Sequence, residues 1–164
     1  MSRRSQLVLG FFAFLIVLLV AAKLRYPGRA PISLPAAICS ADLWLRTYES
    51  ARLRLIEPCT AVPGRVVSVH PFNTDGDVHI ALVPDDRTVL NLVNAIHGRR
   101  MLIAEIVCDH PPIDPHATSA CAGFHSDLAI PKVGDRVRIT GAYVIDTGFG
   151  WAEIHPISRI ELLP

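Results

Sequence analysis

Two histidines stand on short alternating segments of this sequence. One is His79 in Asp75-Gly76-Asp77-Val78-His79-Ile80; the other is His155 in Gly150-Trp151-Ala152-Glu153-Ile154-His155-Pro156. A third segment, Ala104-Glu105-Ile106, sets a carboxylate between two apolar neighbours. Successive side chains of a strand point to opposite faces. Val78, Ile80 and Leu82 are therefore expected to face a core, with His79 outward. Ala152 and Ile154 should face the same core, with Glu153 and His155 outward. His79, Glu105, Glu153 and His155 are the candidate ligand or metal residues. Imidazole nitrogens and carboxylate oxygens suit zinc, manganese or non-haem iron. Three such ligands and a water would let zinc polarise an ester or phosphodiester. A plainer reading stands beside this one. Polar outward residues are the normal complement of a half-buried strand, and a cross-strand pair is worth about 0.2–1 kcal/mol without any ligand. Asp75 and Asp77 are read as hairpin residues, since the rest of a calcium loop is missing. Trp151 is read as a core-packing residue at the barrel mouth, with a cover over this same polar patch as the alternative.

The elements that must position these groups follow from texture. Ala36 to Glu57 carries apolar residues at steps of three or four (Ile38, Ala41, Leu45, Tyr48, Ala51, Leu55) and predicts an amphipathic helix over 36–58 ended by Pro58, although Arg52 interrupts the stripe. From Cys59 onward short β-like runs alternate with turns. Strands are expected over 65–69, 77–83, 99–108, 135–145 and 151–155, with 158–163 extending the sheet. Asn73-Thr74-Asp75-Gly76 is a hairpin turn, where glycine supplies a positive φ. Residues 89–97 are ambiguous between a short helix and an irregular excursion. Residues 109–132, with four prolines, form a long loop.

Five strands in about a hundred residues, with glycines at bends, predict a mainly β fold: a small five-stranded barrel of the oligonucleotide/oligosaccharide-binding (OB) type over 59–164. Lys132-Val133-Gly134-Asp135-Arg136-Val137-Arg138-Ile139-Thr140-Gly141 resembles the start of the fourth strand in many such barrels. Residues 59–161 resemble small, uncharacterised exported bacterial proteins of OB-like type. The resemblance rests on the two histidine segments above together with Ile106-Val107-Cys108, Ala120-Cys121-Ala122-Gly123 and Ile130-Pro131-Lys132-Val133-Gly134-Asp135. It implies a fold and export, and no activity. In an OB barrel the third strand lies between the second and the fifth, which would set Glu105 between His79 and His155.

The N-terminal part points to a membrane. Arg3 and Arg4 precede an unbroken apolar run of 16 residues, Leu7 to Ala22, closed by Lys23 and Arg25. Residues 1–25 are read as an uncleaved membrane anchor, with cleavage after Ala22 as the alternative that would release a secreted or periplasmic protein. Residues 26–35, rich in proline, form a stiff linker. The remainder is expected outside the cytoplasm. There Cys108 and Cys121 should bridge, closing a loop, and Cys39 and Cys59 form a second candidate pair. Zinc held by Cys108, His110, Cys121 and His125 is the rival reading. His70, His97, His110, His116 and His125 fall in turns or loops and are read as solvated.

Charge is unevenly placed. Residues 1–58 carry a balance of +5 and residues 59–164 a balance of −4. An acidic globular part speaks against nucleic-acid binding, which depends on neutralising phosphates. Phosphate-binding glycine loops, nucleophile elbows and His-Glu-x-x-His helices are missing from the sequence. The expected function is a membrane-tethered extracytoplasmic OB-like binding module for a protein, glycan or small ligand. The alternative is a metal-dependent hydrolase, with zinc as its candidate cofactor.

Overall fold

The computed structural model describes residues 32–164. The apolar run of residues 7–22 lies outside them, and with it the anchor and its cleavage alternative. Among the described residues no helix is long and apolar enough to cross a membrane. Five strands dominate: β1 (Leu53–Phe72), β2 (Asp77–Pro84), β3 (Leu102–Ile106), β4 (Arg136–Asp146) and β5 (Ala152–Leu162). Two short helices, α1 (Leu92–Ile96) and α2 (Pro115–Cys121), sit in the connections flanking β3. The sheet closes on itself in the order β1-β2-β3-β5-β4. All pairings are antiparallel except β3 with β5.

The ring closes because β1 is long enough to serve two neighbours. Its first half pairs with β4 from Leu53↔Asp146 to Arg65↔Arg136, and its second half pairs with β2 from Gly64↔Pro84 to Phe72↔Asp77. Apolar side chains at alternate positions then fill the interior. Val62, Val66, Val78, Ile80, Leu82, Leu102, Ala104, Ile106, Val137, Ile139, Tyr143 and Ile154 form one buried cluster. Gly141 is needed where β4 bends against β5. The register shifts on both sides of it, and a Cβ there would strike the Pro156 carbonyl and Ile154.

The helix expected over 36–58 does not form. Three 3-10 turns (Ala36–Ile38, Ala41–Arg46 and Ser50–Arg52) lead straight into β1. Pro58 lies within β1, where the β4 register shifts between Glu57 and Thr60, and ends no helix. The disulfide Cys39–Cys59 makes the reason plain, for its Cα atoms are 5.6 Å apart. A continuous α-helix of that span would hold them roughly 30 Å apart. Cys108–Cys121 is also bridged, with Cα atoms 5.5 Å apart. The four thiols are thus consumed in pairs, as an oxidising extracytoplasmic environment allows. The zinc alternative at Cys108, His110, Cys121 and His125 falls with them, because no thiolate remains to bind it.

The parallel β3–β5 contact is short, matched only at Ile103↔Glu153 and Ala104↔Ile154. Asn94 on α1 supports it. This fully buried side chain donates from Nδ2 to the carbonyls of Met101 (3.0 Å) and Ala152 (2.9 Å), and its Oδ1 accepts from the Ala152 N–H (2.9 Å). The same oxygen accepts from the Asn91 N–H, while the Asn91 side chain accepts from the N–H groups of Val93 and Asn94. One amide therefore ties the chain just before β3 to the first residue of β5. Asn94→Ala strands four backbone groups, each costing about 1–3 kcal/mol when left unpaired in the interior. We expect it to lower unfolding free energy by about 3 kcal/mol or more, measured by urea denaturation with the disulfides intact.

Candidate functional site

Alternation places Asp77 and His79 on the outer face of β2, Glu105 on that of β3, and Glu153 and His155 on that of β5. The strand order brings the three sets together. His79 and Glu105 are directly opposed in the β2–β3 ladder, with Nε2 and Oε2 3.4 Å apart. His155 Nδ1 lies 3.0 Å from Glu105 Oε2 and 3.2 Å from Glu153 Oε1, and its Nε2 lies 4.0 Å from Asp77 Oδ2. The four residues singled out in the sequence therefore share one face. Asp77, read there as a simple hairpin residue, belongs with them. The signal was its i, i+2 relation to His79, which puts both side chains on one side of the strand.

The face is not the solvated one expected of outward residues. Asp77, Glu105, Glu153 and His155 are all buried, and only His79 keeps appreciable exposure, at 23% of its side chain. The cover comes from residues distant in sequence. Cys108 donates its N–H to Asp77 Oδ1 at 2.8 Å. The segment after it is pinned across the β1–β2 turn, with N–H groups of His110, Ile113 and Asp114 donating to carbonyls of Gly76, Asn73 and Thr74. Arg46 reaches the far end of that segment, donating to the carbonyls of Ala120 and Ala122 at the C-terminus of α2. Phe72 stacks on His79 with ring centroids 4.2 Å apart. Trp151 is no core-packing residue. It stacks on the exposed Phe149 and donates from Nε1 to Glu153 Oε2 at 3.0 Å.

Three buried atoms converge here without a directed hydrogen bond: His79 Nε2, Glu105 Oε2 and His155 Nε2. The Nδ1–H of His155 is engaged by Glu153. Glu105 Oε2 is close enough for strong electrostatic attraction but is not aligned with that donor. Burial and charge act against each other in this group. Burial alone would raise the Glu105 carboxyl, yet the charge of His155 outweighs it and holds Glu105 at about 2. Burial would lower His155, and Glu105 followed by Glu153 overrides it and lifts the imidazole to about 10. For Asp77 the opposing pull of His155 and of the Cys108 N–H is outweighed. Burial, followed by the neighbouring Asp75, pushes it to about 7. Burial also raises Glu153 and lowers His79. The cluster is a His155–Glu105 ion pair beside two carboxyls, Asp77 and Glu153, that burial raises above the ordinary carboxylate range, and a His79 imidazole that burial lowers.

No protein-family model and no curated protein matches this chain.

Breaking the buried pair from one side leaves an uncompensated charge, so Glu105→Leu should cost about 3–5 kcal/mol in urea unfolding at pH 7. Asp77 gives a pH signature in metal-free protein. Its folded value of about 7 exceeds its ordinary 3.8, so the folded chain binds more protons than the unfolded chain between these values. Stability therefore falls as pH rises through that window, by up to about 1.4 kcal/mol per pH unit for one proton. Asp77→Asn keeps the acceptor for Cys108 but carries no such proton. Unfolding at pH 4, 5.5 and 7 should show a flatter profile for the variant, and an unchanged slope would mean that Asp77 is ionised in the fold.

Proposed function

We propose that this chain is a membrane-tethered extracytoplasmic binding module built on an OB-like barrel, akin to small exported bacterial proteins of that type. Its ligand is taken on the outer face of β2, β3 and β5. The observation that carries the reading is the burial of Asp77, Glu105, Glu153 and His155 together on a face the apolar core does not need. Taking ionisable groups out of water is costly, and apolar residues of similar volume would fill the space at no loss. A cluster kept at such expense, with shifted protonation, is what a functional site carries. The ring order β1-β2-β3-β5-β4 supports the OB-like assignment, and the two disulfides support the compartment. The apolar run of residues 7–22 with its flanking cations is the basis for the tether.

Burial also narrows the ligand. A protein or glycan could touch His79 and Phe72 at the rim but not the carboxylates beneath, so the site favours a small ligand or an ion. It favours binding over hydrolysis for the same reason, since a substrate would have to reach buried oxygens and nitrogens in a cluster where His79 alone keeps appreciable exposure. The acidic balance of residues 59–164 continues to weigh against nucleic acid.

The test separates a cluster kept for binding from one kept for folding. Glu105→Leu with His155→Leu removes both members of the ion pair at once. The double variant should be as stable as the wild type or more stable by about 1–4 kcal/mol in urea at pH 7. A loss of about 3 kcal/mol or more would assign the cluster to folding and remove the support for this reading.

A further inference from the structure

We propose that Asp77, Glu105 and His155 bind one divalent transition-metal ion, with His79 as a fourth donor at the opening of the site. The inference rests on the binding-face reading above and names its ligand class. One ligand atom from each of Asp77, Glu105 and His155 falls within a common 4.8 Å. That proximity alone would describe any acidic cluster. The independent observation is that the buried His155 Nε2, on the side of Asp77 Oδ2, has no hydrogen-bond partner; at the rim of the group His79 Nε2, 3.4 Å from Glu105 Oε2, also lacks a directed hydrogen bond.

The surroundings are arranged as a metal's would be. A ligating imidazole characteristically gives its other N–H to a carboxylate, which fixes ring orientation and raises ligand basicity. His155 does this from Nδ1 to Glu153, leaving Nε2 free, and Glu153 is itself held by the Trp151 indole N–H. Asp77 is oriented likewise by the Cys108 N–H on Oδ1, leaving Oδ2 toward His155. Two carboxylates balance the charge of a divalent ion, so a buried site need not carry net charge. A mixed imidazole and carboxylate set favours zinc, manganese or iron(II) over magnesium or calcium, which prefer oxygen alone. The ion would arrive beside His79, where the Phe72 stack borders the only exposed member.

The test uses the full chain in detergent, disulfides intact and without a polyhistidine tag. Calorimetric titration with zinc chloride should show one ion per chain, with magnesium and calcium giving no comparable signal. Zinc-edge X-ray absorption should show a nitrogen and oxygen shell at about 2.0–2.2 Å and no sulfur. His155→Ala should weaken binding at least 100-fold, and Glu153→Gln about 10–100-fold through loss of orientation. Asp77→Asn, which preserves the acceptor for Cys108, should weaken it at least 10-fold while near-ultraviolet circular dichroism stays native; this variant carries the test if His155→Ala does not fold. His110→Ala, His116→Ala and His125→Ala should bind as the wild type does. Absence of stoichiometric zinc in the wild type, or undiminished binding in Asp77→Asn, overturns the proposal. If zinc fails while the Glu105→Leu/His155→Leu variant keeps wild-type stability, the metal is wrong and the binding face stands. If that double variant also collapses, the binding-face reading fails with it.

Discussion

The molecule depends on closing its ring at the weakest seam. Antiparallel neighbours meet over long ladders, whereas β3 and β5 run parallel and are matched at only two residue pairs. A gap there would expose strand edges and open the apolar interior. The Asn94 amide closes it with donors to two carbonyls and an oxygen shared between two N–H groups, so every hydrogen-bonding position it has is used. The seam also decides where the polar cluster can exist. Glu105 and His155 meet only because β3 and β5 are neighbours, and their attraction in turn lies across the junction that Asn94 anchors.

Two faces of the same strands obey opposite rules. Inside the ring, Ile80, Ala104 and Ile154 pack without a polar atom to satisfy. One residue away in each strand, His79, Glu105 and His155 lie in a layer almost as dry but composed of ionisable groups. The inner layer gains from leaving water, and the outer layer must recover the cost of leaving it. It does so through opposite charges held about 3 Å apart, while burial raises the Asp77 and Glu153 carboxyls toward their neutral forms. This makes the outer face a layer whose stability is tied to its state of protonation.

Alternation of apolar residues was legible in the sequence and correctly sorted the faces of β2, β3 and β5. Strand order followed from the resemblance to OB barrels, and it set Glu105 beside both histidines. What the sequence did not reveal was depth. Phe72 and Cys108 are tied to the cluster by a ring stack and a backbone N–H that no local period encodes. Asp77 was missed because its neighbours Asp75 and Gly76 made a hairpin explanation sufficient. Asn94 lay in a stretch of uncertain type and gave no sign that its partners were Met101 and Ala152. The helix expected over 36–58 failed for a reason already present in the chain. A bridge between Cys39 and Cys59 and a continuous helix between them are geometrically exclusive, and the cysteines were the stronger constraint.

Cys108 belongs to two structures at once. Its sulfur closes the loop to Cys121, and its backbone N–H orients the Asp77 carboxylate from a left-handed conformation at φ 55°. The loop staple and the polar layer are therefore mechanically coupled through a single residue. Thiol–disulfide exchange at this bridge would slacken the backbone that aims Asp77, without touching any ionisable side chain. The geometry of the site is thereby set in part by a residue that contributes no side-chain atom to it.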